Sequence, residues 1–242
     1  MRYVGITGFV SREEVDFALS CLPAGLTLMC GILVSAKTLQ GRRPRLWRRY
    51  PHPNEAAAIF SPDPRCLNLI HFCADEPPTA ATVSRLQAIG GEHCHGFQFN
   101  VAYPEPSTLA ALAGGHVVLQ VRPERTPMIQ VHSAVRALRN CDVTVLIDGS
   151  GGEGREMDSD VFDMWAMTIR GHFGNDVGLA FAGGLDADSL PRIASEVRTW
   201  GASIDAEGRL RDSTEGGGIL DRTAVAAYLA RASEIMTPEK NP

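Results

Sequence analysis

The stretch that decides the fold reads VTVLIDGSGGEG at residues 143–154, SDVFDMWAMTIRGHF at 159–173 and VGLAFAGG at 177–184. The first and last segments begin with short apolar runs rich in β-branched and aromatic residues, which is typical of buried strands. The middle segment has the apolar spacing of an amphipathic helix. A strand, a helix and a second strand in this order predict two parallel strands joined by a crossover helix.

The same alternation extends in both directions along the chain. Apolar runs predict strands at 2–7, 26–34, 67–73, 96–101, 116–121, 143–148, 177–182 and 202–205. The helical stretches between them follow residues that often cap helices, namely Ser11, Asn54, Thr79, Ser107, Asp158, Asp186 and Asp221. Eight repeats in 242 residues favour an α/β fold of the (β/α)8 TIM-barrel class, formed as a single domain by residues 1–242. The alternative is an open Rossmann-like sheet, but no GxGxxG turn follows the first strand.

The composition is that of an ordinary globular protein with a net charge of −5. This charge argues against a dedicated binder of nucleic acid or of an anionic membrane. The six cysteines show no CxxC pair and no zinc spacing, so we expect free thiols in a reducing cytoplasm and no metal site. The N-terminal residues lack the features of a signal peptide, and no apolar run is long enough for a membrane span.

Glycine-rich turns follow each of the last three predicted strands. Glycine lets the backbone approach a ligand closely and direct N–H groups at it, and a helix that begins just beyond favours an anion. In (β/α)8 barrels the loops after the seventh and eighth strands often bind phosphate. A small phosphorylated metabolite is therefore the predicted partner, although the glycines could serve tight turns alone. The predicted phosphate-binding residues are Gly151, Gly152, Gly154, Gly183, Gly184 and Gly208.

Four segments, in order along nearly the whole chain, resemble phosphoribosylanthranilate isomerases. Residues 3–7 (YVGIT) resemble the KICGIT opening of that family, and residues 146–154 (LIDGSGGEG) resemble its LLD…GGTG segment. Residues 182–185 (AGGL) resemble its AGGL turn, and residues 201–205 (GASID) resemble its GVDV…SG segment. The resemblance implies a phosphate-binding (β/α)8 barrel that catalyses an Amadori rearrangement, an aldose–ketose type isomerisation, without a metal or an organic cofactor.

The resemblance also implies roles for individual residues. Asp148 matches the general-acid aspartate and Asp205 matches the aspartate of the eighth strand, so both are candidate catalytic residues. The base cysteine of the family is replaced by Val4, which cannot carry a proton. The serine-rich phosphate turn of the family corresponds in this chain to a turn that contains Glu207, whose carboxylate would repel phosphate unless it turned away. Two hypotheses follow: an isomerase that uses another base, or a catalytically inactive protein that binds a phosphorylated metabolite.

Other polar residues also lie near predicted strand ends, where barrel enzymes place their chemistry. Asp148 ends an apolar strand and could act as an acid near neutral pH, or only cap the glycine turn that follows. His71 shares one face of its strand with Cys73 and could transfer protons, or be a packed core histidine. Asn100, Gln120 and Arg122 could hydrogen-bond a sugar, or only satisfy the mouth of the barrel.

Residues 35–53, hereafter the Arg-rich segment, hold five arginines and one lysine after the second predicted strand. Lys37 and Arg42 are candidate ligands of an anionic substrate, because this segment should lie over the catalytic face. In the resembled family a basic residue after this strand pairs with a substrate carboxylate, and Lys37 is the nearest match. The alternatives are a solvated loop, a contact between subunits of a homo-oligomer, or an RNA contact through Trp47 and Tyr50.

Overall fold

The strands of the protein form a closed parallel barrel. The computed structural model describes residues 1–100, 102–112, 114–149 and 159–237. Its strands are β1 (Val4–Thr7), β2 (Leu28–Ser35), β3 (Cys66–Cys73), β4 (Gly96–Phe99), β5 (His116–Val121), β6 (Asp142–Asp148), β7 (Gly178–Ala182) and β8 (Ser203–Ala206). Each strand pairs in parallel with the next, and β8 pairs with β1, which closes the sheet. This topology confirms the predicted (β/α)8 TIM barrel and excludes the open sheet.

Helices alternate with the strands. They are α1 (Arg12–Cys21), α2 (Ala36–Leu39), α3 (Ala56–Ile59), α4 (Ala80–Gly90), α5 (Pro106–Ala110), α6 (Met128–Ala137), α7 (Ser159–Phe173), α8 (Ala194–Thr199) and α9 (Arg222–Met236). Short 3-10 turns lie at Trp47–Arg49, Pro53–Glu55, Leu190–Ile193 and Gly208–Leu210. Across the part of the chain that the structure describes, no helix has both the length and the apolar character needed to cross a bilayer.

Helix starts follow the predicted caps at several places. Ser11, Thr79 and Asp221 each accept a hydrogen bond from a backbone N–H in the first turn of the helix that follows. Asp186 also accepts backbone hydrogen bonds, but these bonds close a turn, and helical residues begin only with Leu190–Ile193. A side-chain oxygen placed before the chain turns thus satisfies donors that would otherwise have no partner.

Two predicted helix starts are wrong, and both errors involve proline. His52, and not Asn54, caps the 3-10 turn that begins at Pro53. Ser107 lies inside α5, because the proline before it already occupies the first helical position. Proline is favoured there since its fixed φ suits the helix and the N–H that it lacks would have no partner. The start predicted at Asp158 lies outside the described residues.

The alternation of side chains along each strand separates two cores. The larger core lies between the strands and the helices, and it takes in outward residues such as Val4, Ile6 and Ile204. A smaller cluster fills the barrel interior and consists of Tyr3, Met29, Leu67, Leu69, Val118, Leu146, Ala180 and Ala182. Towards the carboxyl ends of the strands the inward positions become polar, with His71, Gln98, Gln120, Asp148 and Asp205 all buried. The apolar interior therefore ends below a layer of polar side chains.

Candidate active site

A cavity of about 500 Å³ opens at the carboxyl ends of the barrel strands. That volume suits a small-molecule ligand, since such sites usually measure roughly 300–1,000 Å³. Its floor includes the polar layer of the barrel interior, and one side is formed by the Arg-rich segment through Pro44, Arg45, Leu46, Arg49 and Tyr50. The face of the barrel at which this fold places its active sites thus contains a cavity.

Most of the predicted site residues line this one cavity. They are Lys37, His71, Asn100, Arg122, Asp148, Gly183, Gly184, Asp205 and Gly208. Arg42 does not line it, because its exposed side chain turns back to donate to Gln40 Oε1, and Arg45 and Arg49 lie there instead. Gly151, Gly152 and Gly154 lie outside the described residues. Positions that are far apart in sequence therefore converge at the barrel mouth.

Asp205 lies on the inner face of β8 and is almost completely buried. Its carboxylate accepts from Thr7 Oγ1, with Oδ1 and Oδ2 at 3.1 and 3.2 Å. Gly5 of the neighbouring strand makes room for it, since a Cβ at that position would lie 2.7 Å from Asp205 Oδ1. Burial raises the pKa of Asp205 to about 7, assisted by Glu207 and Asp148 and opposed by His71 and Thr7. Both protonation states of Asp205 are therefore populated near neutral pH.

Asp148 lies at the end of β6, and an amide side chain orients it. Gln120 Nε2 donates to Asp148 Oδ2 at 2.7 Å. Gln98 Nε2 in turn donates to Gln120 Oε1 at 3.5 Å, so the amides of β4 and β5 form a relay that leads to the carboxylate. A carboxylate oriented in this way points in a fixed direction, which proton transfer to a bound ligand requires.

His71 lies on the inner face of β3, also with little exposure to solvent. Its Nε2 contacts Asn100 Oδ1, while its buried Nδ1 has no hydrogen-bond partner among the described residues. Burial lowers the pKa of His71, but Cys73 and the acidic groups of Glu207 and Asp205 outweigh burial and raise it to about 9. The imidazole is therefore a proton donor near neutral pH, and it lines the same cavity as Asp205.

The Arg-rich segment docks on the loop that follows β8. Arg49 Nη1 donates to Glu207 Oε1 at 2.7 Å, and Arg49 Nε donates to the carbonyl of Gly217 at 2.7 Å. The backbone N–H of Arg48 donates to the carbonyl of Gly216 at 2.9 Å. Gly216 has a φ of +84°, and a Cβ there would collide with the Trp47 indole nitrogen. The negative charge of Glu207, expected to repel a phosphate, is thus paired with Arg49.

The rim formed by β7 and β8 carries the glycines predicted to bind phosphate. Gly183 and Gly184 have φ values of +115° and +62°, a conformation that other residues rarely adopt. Gly208 begins a 3-10 turn, and the guanidinium of Arg49 lies 3.7 Å from where its Cβ would be. Arg209 also lines the cavity, and its Nη1 lies 3.0 Å from Asp186 Oδ2. Glycine backbone and two arginines therefore occur together at this rim, and each arginine is paired with a carboxylate.

Val4 has no part in this cavity. Its fully buried side chain belongs to the core between the strands and the helices, and its strand partners are Leu28 and Ile204. The inward residues of the same strand are Gly5 and Thr7. The position that matches the family's base cysteine thus faces away from the site, and a cysteine there would not reach the cavity.

Sequence reasoning did not single out several residues of the site. Gln98 could have been found, because strand alternation places it on the same face as Asn100. Arg209 follows Gly208 directly, and that adjacency was a usable signal. Arg49 was not distinguishable from the other arginines of the Arg-rich segment, since only its contact with Glu207 sets it apart.

Comparison with known proteins does not assign the chain to a family. No protein-family model matches the sequence, and none of the curated proteins matches it either. Within the described ranges, no cluster of three or more His, Cys, Asp or Glu residues is arranged to hold a metal ion. The fold and the geometry of the cavity are therefore the basis for inferring the function of the protein.

Proposed function

We propose that the protein is an aldose–ketose type isomerase that acts on a small phosphorylated sugar derivative, as phosphoribosylanthranilate isomerases do. The observation that carries the proposal is the pairing, in one cavity, of a buried aspartate and a buried histidine that can both exchange protons. The pKa of Asp205 is raised to about 7 by burial, and the charges around His71 raise its pKa to about 9 despite burial. Ionisable groups held in perturbed states within a cleft are typical of acid–base catalysis.

The reaction requires one group that removes a proton from carbon and another that protonates the neighbouring oxygen. The ionised fraction of Asp205 serves as the base, and protonated His71 stabilises the developing charge on oxygen and donates to it. Asp148, oriented by Gln120, donates or shuttles a second proton. None of these steps calls for a metal or an organic cofactor.

Binding of the phosphate group is assigned to the rim of β7 and β8. Backbone N–H groups around Gly183, Gly184 and Gly208 would contact the phosphate oxygens, with Arg49 and Arg209 close by. Lys37 lines the cavity from α2 and would hold a second anionic group of the substrate. Arg122 lines it from the end of β5, and its buried Nε has no hydrogen-bond partner among the described residues, which suits a ligand contact.

The test is exchange of substrate hydrogen with solvent. Ribose 5-phosphate, glucose 6-phosphate and N-(5-phosphoribosyl)anthranilate are incubated with the protein in D2O, and NMR follows deuterium incorporation at the carbon next to the carbonyl. We expect exchange with at least one of them, and its loss in Asp205→Asn and Asp148→Asn with ligand affinity retained. Arg42→Gln is the control, because that arginine lies outside the cavity lining. Exchange that persists in both aspartate variants would contradict the assigned roles.

The second candidate is a protein that binds a phosphorylated metabolite without converting it. The outward orientation of Val4 favours this alternative, because the base of the resembled family has no counterpart at that position. Titration calorimetry with the same compounds separates the two candidates. If the compounds bind but none exchanges deuterium, the binding protein without catalysis is favoured. If no compound binds and none exchanges, the proposal of a phosphorylated ligand is wrong.

A further inference from the structure

Cys73 occupies a position that the proposed isomerase reaction does not use. All six cysteines lie within the described residues, and Cys73 is the one that lines the cavity. It ends β3 on the same face as His71 and is only half-buried, so a small reagent can reach its sulfur. Cys30 and Cys66, in contrast, are buried in the core. The fold thus directs one thiol into the site.

The thiol is part of a polar cluster. Asn100 Nδ2 donates to Cys73 Sγ at 3.5 Å, and Asn100 Oδ1 contacts His71 Nε2. Burial lowers the pKa of His71, and the charge interaction with Cys73 acts in the opposite direction and raises it. Tyr50 approaches from the Arg-rich segment. Its pKa is raised, mainly by burial and to a smaller extent by Cys73. The cluster therefore contains a thiol, an imidazole and an amide that orients both.

Packing alone does not account for this cluster. His71 is 5% exposed, and its Nδ1 has no hydrogen-bond partner among the described residues. A buried polar atom without a partner destabilises a protein by roughly 1–3 kcal/mol, so it calls for a ligand or a chemical role. A cysteine beside a protonated imidazole is a nucleophile, because the positive charge favours the thiolate form.

We propose that Cys73, His71 and Asn100 form a nucleophilic site that binds aldehydes covalently. Sγ forms a bond to the carbonyl carbon, the π bond of the carbonyl breaks, and the proton given up by the thiol passes through His71 to the new hydroxyl oxygen. The product is a hemithioacetal, and no oxidant or reductant takes part. Because cationic residues line the same cavity, the favoured class is a short aldehyde that carries a phosphate. The inference uses the proposed cavity but not the isomerase reaction.

Alkylation measures the reactivity of the thiol without reference to any substrate. Wild-type protein is treated with iodoacetamide at pH 6.5, and peptide mass spectrometry gives the rate at each cysteine. Half-buried Cys21 and Cys141, which lie outside the cavity lining, are the internal controls. We expect Cys73 to react at least about tenfold faster than either control, and His71→Asn to remove most of that difference. Equal rates in the wild type, or no effect of His71→Asn, would overturn the activation by histidine.

Covalent binding is tested with carbon-13-labelled glycolaldehyde phosphate. The wild type should convert the carbonyl resonance into a hemithioacetal resonance, and Cys73→Ser and Cys73→Ala should not, while circular dichroism checks that both variants fold. Inorganic phosphate is the matched probe without a carbonyl. Protection of Cys73 by the aldehyde without a new resonance would show non-covalent occupancy and refute the adduct. The adduct can form in a protein that exchanges no deuterium, so the two proposals fail separately.

Discussion

Replacing Asp205 by asparagine is expected to stabilise the fold while it removes the proposed base. The unfolded carboxyl ionises near its ordinary pKa of 3.8, but burial holds the pKa in the folded protein at about 7. Between these values the folded state binds more protons than the unfolded state, so stability falls as pH rises from 3.8 to 7. A pKa difference of about three units corresponds to about 4 kcal/mol, which is an upper value for the gain at pH 8.

The gain should be smaller than this value, because His71 loses an anionic neighbour in the variant. Asparagine can still accept from Thr7 Oγ1, so we expect Asp205→Asn to be about 2–4 kcal/mol more stable than the wild type at pH 8 and nearly equal to it at pH 4. Urea denaturation at both pH values measures the difference. Exposed Asp188→Asn is the control and should change stability by less than about 0.5 kcal/mol. A loss of stability in Asp205→Asn that is the same at both pH values would show that the buried carboxylate does not destabilise the fold.

Three further predictions concern the same barrel. Gly5→Ala places a Cβ 2.7 Å from Asp205 Oδ1 and 3.0 Å from the carbonyl of Ile204, and should destabilise the fold by about 1–3 kcal/mol in urea denaturation. An unchanged midpoint of urea denaturation would show that the strands shift enough to accommodate the added methyl group. Arg49→Gln leaves Glu207 without its ion pair and should weaken inorganic phosphate binding about tenfold in calorimetry, whereas Arg42→Gln should not. Equal affinities in the two arginine variants would contradict the proposed phosphate rim. Burial lowers the pKa of His116 from 6.5 to about 4. The folded protein should therefore lose about 3 kcal/mol of its free energy of unfolding as the pH falls from 6.5 to 4, because the unfolded state takes up the proton first. His116→Asn should flatten that part of the stability profile, and an unchanged slope would contradict the assignment.

Several parts of the site were accessible from the sequence because they follow from local patterns. Alternation along single strands places His71, Asn100, Asp148 and Asp205 at the mouth of a barrel. Arg42 was predicted as a ligand but does not line the cavity, whereas Arg45 and Arg49 do. Nothing in a run of similar arginines shows which side chain turns inward. The environment of Asp205, which sets its raised pKa, depends on neighbours from other strands and was equally out of reach.

The class of fold and the end of the barrel at which the polar residues gather could be predicted without coordinates, since both depend on periodicity within short segments. The folded chain was needed to show that Val4 faces the helices, that Cys73 lies beside His71 and Asn100, and that Glu207 forms an ion pair. Arg49 and Glu207 are 158 positions apart in the chain. Contacts of this kind depend on strand register and barrel closure. Both are set by the geometry of the whole chain and therefore cannot be recognised in a local sequence pattern.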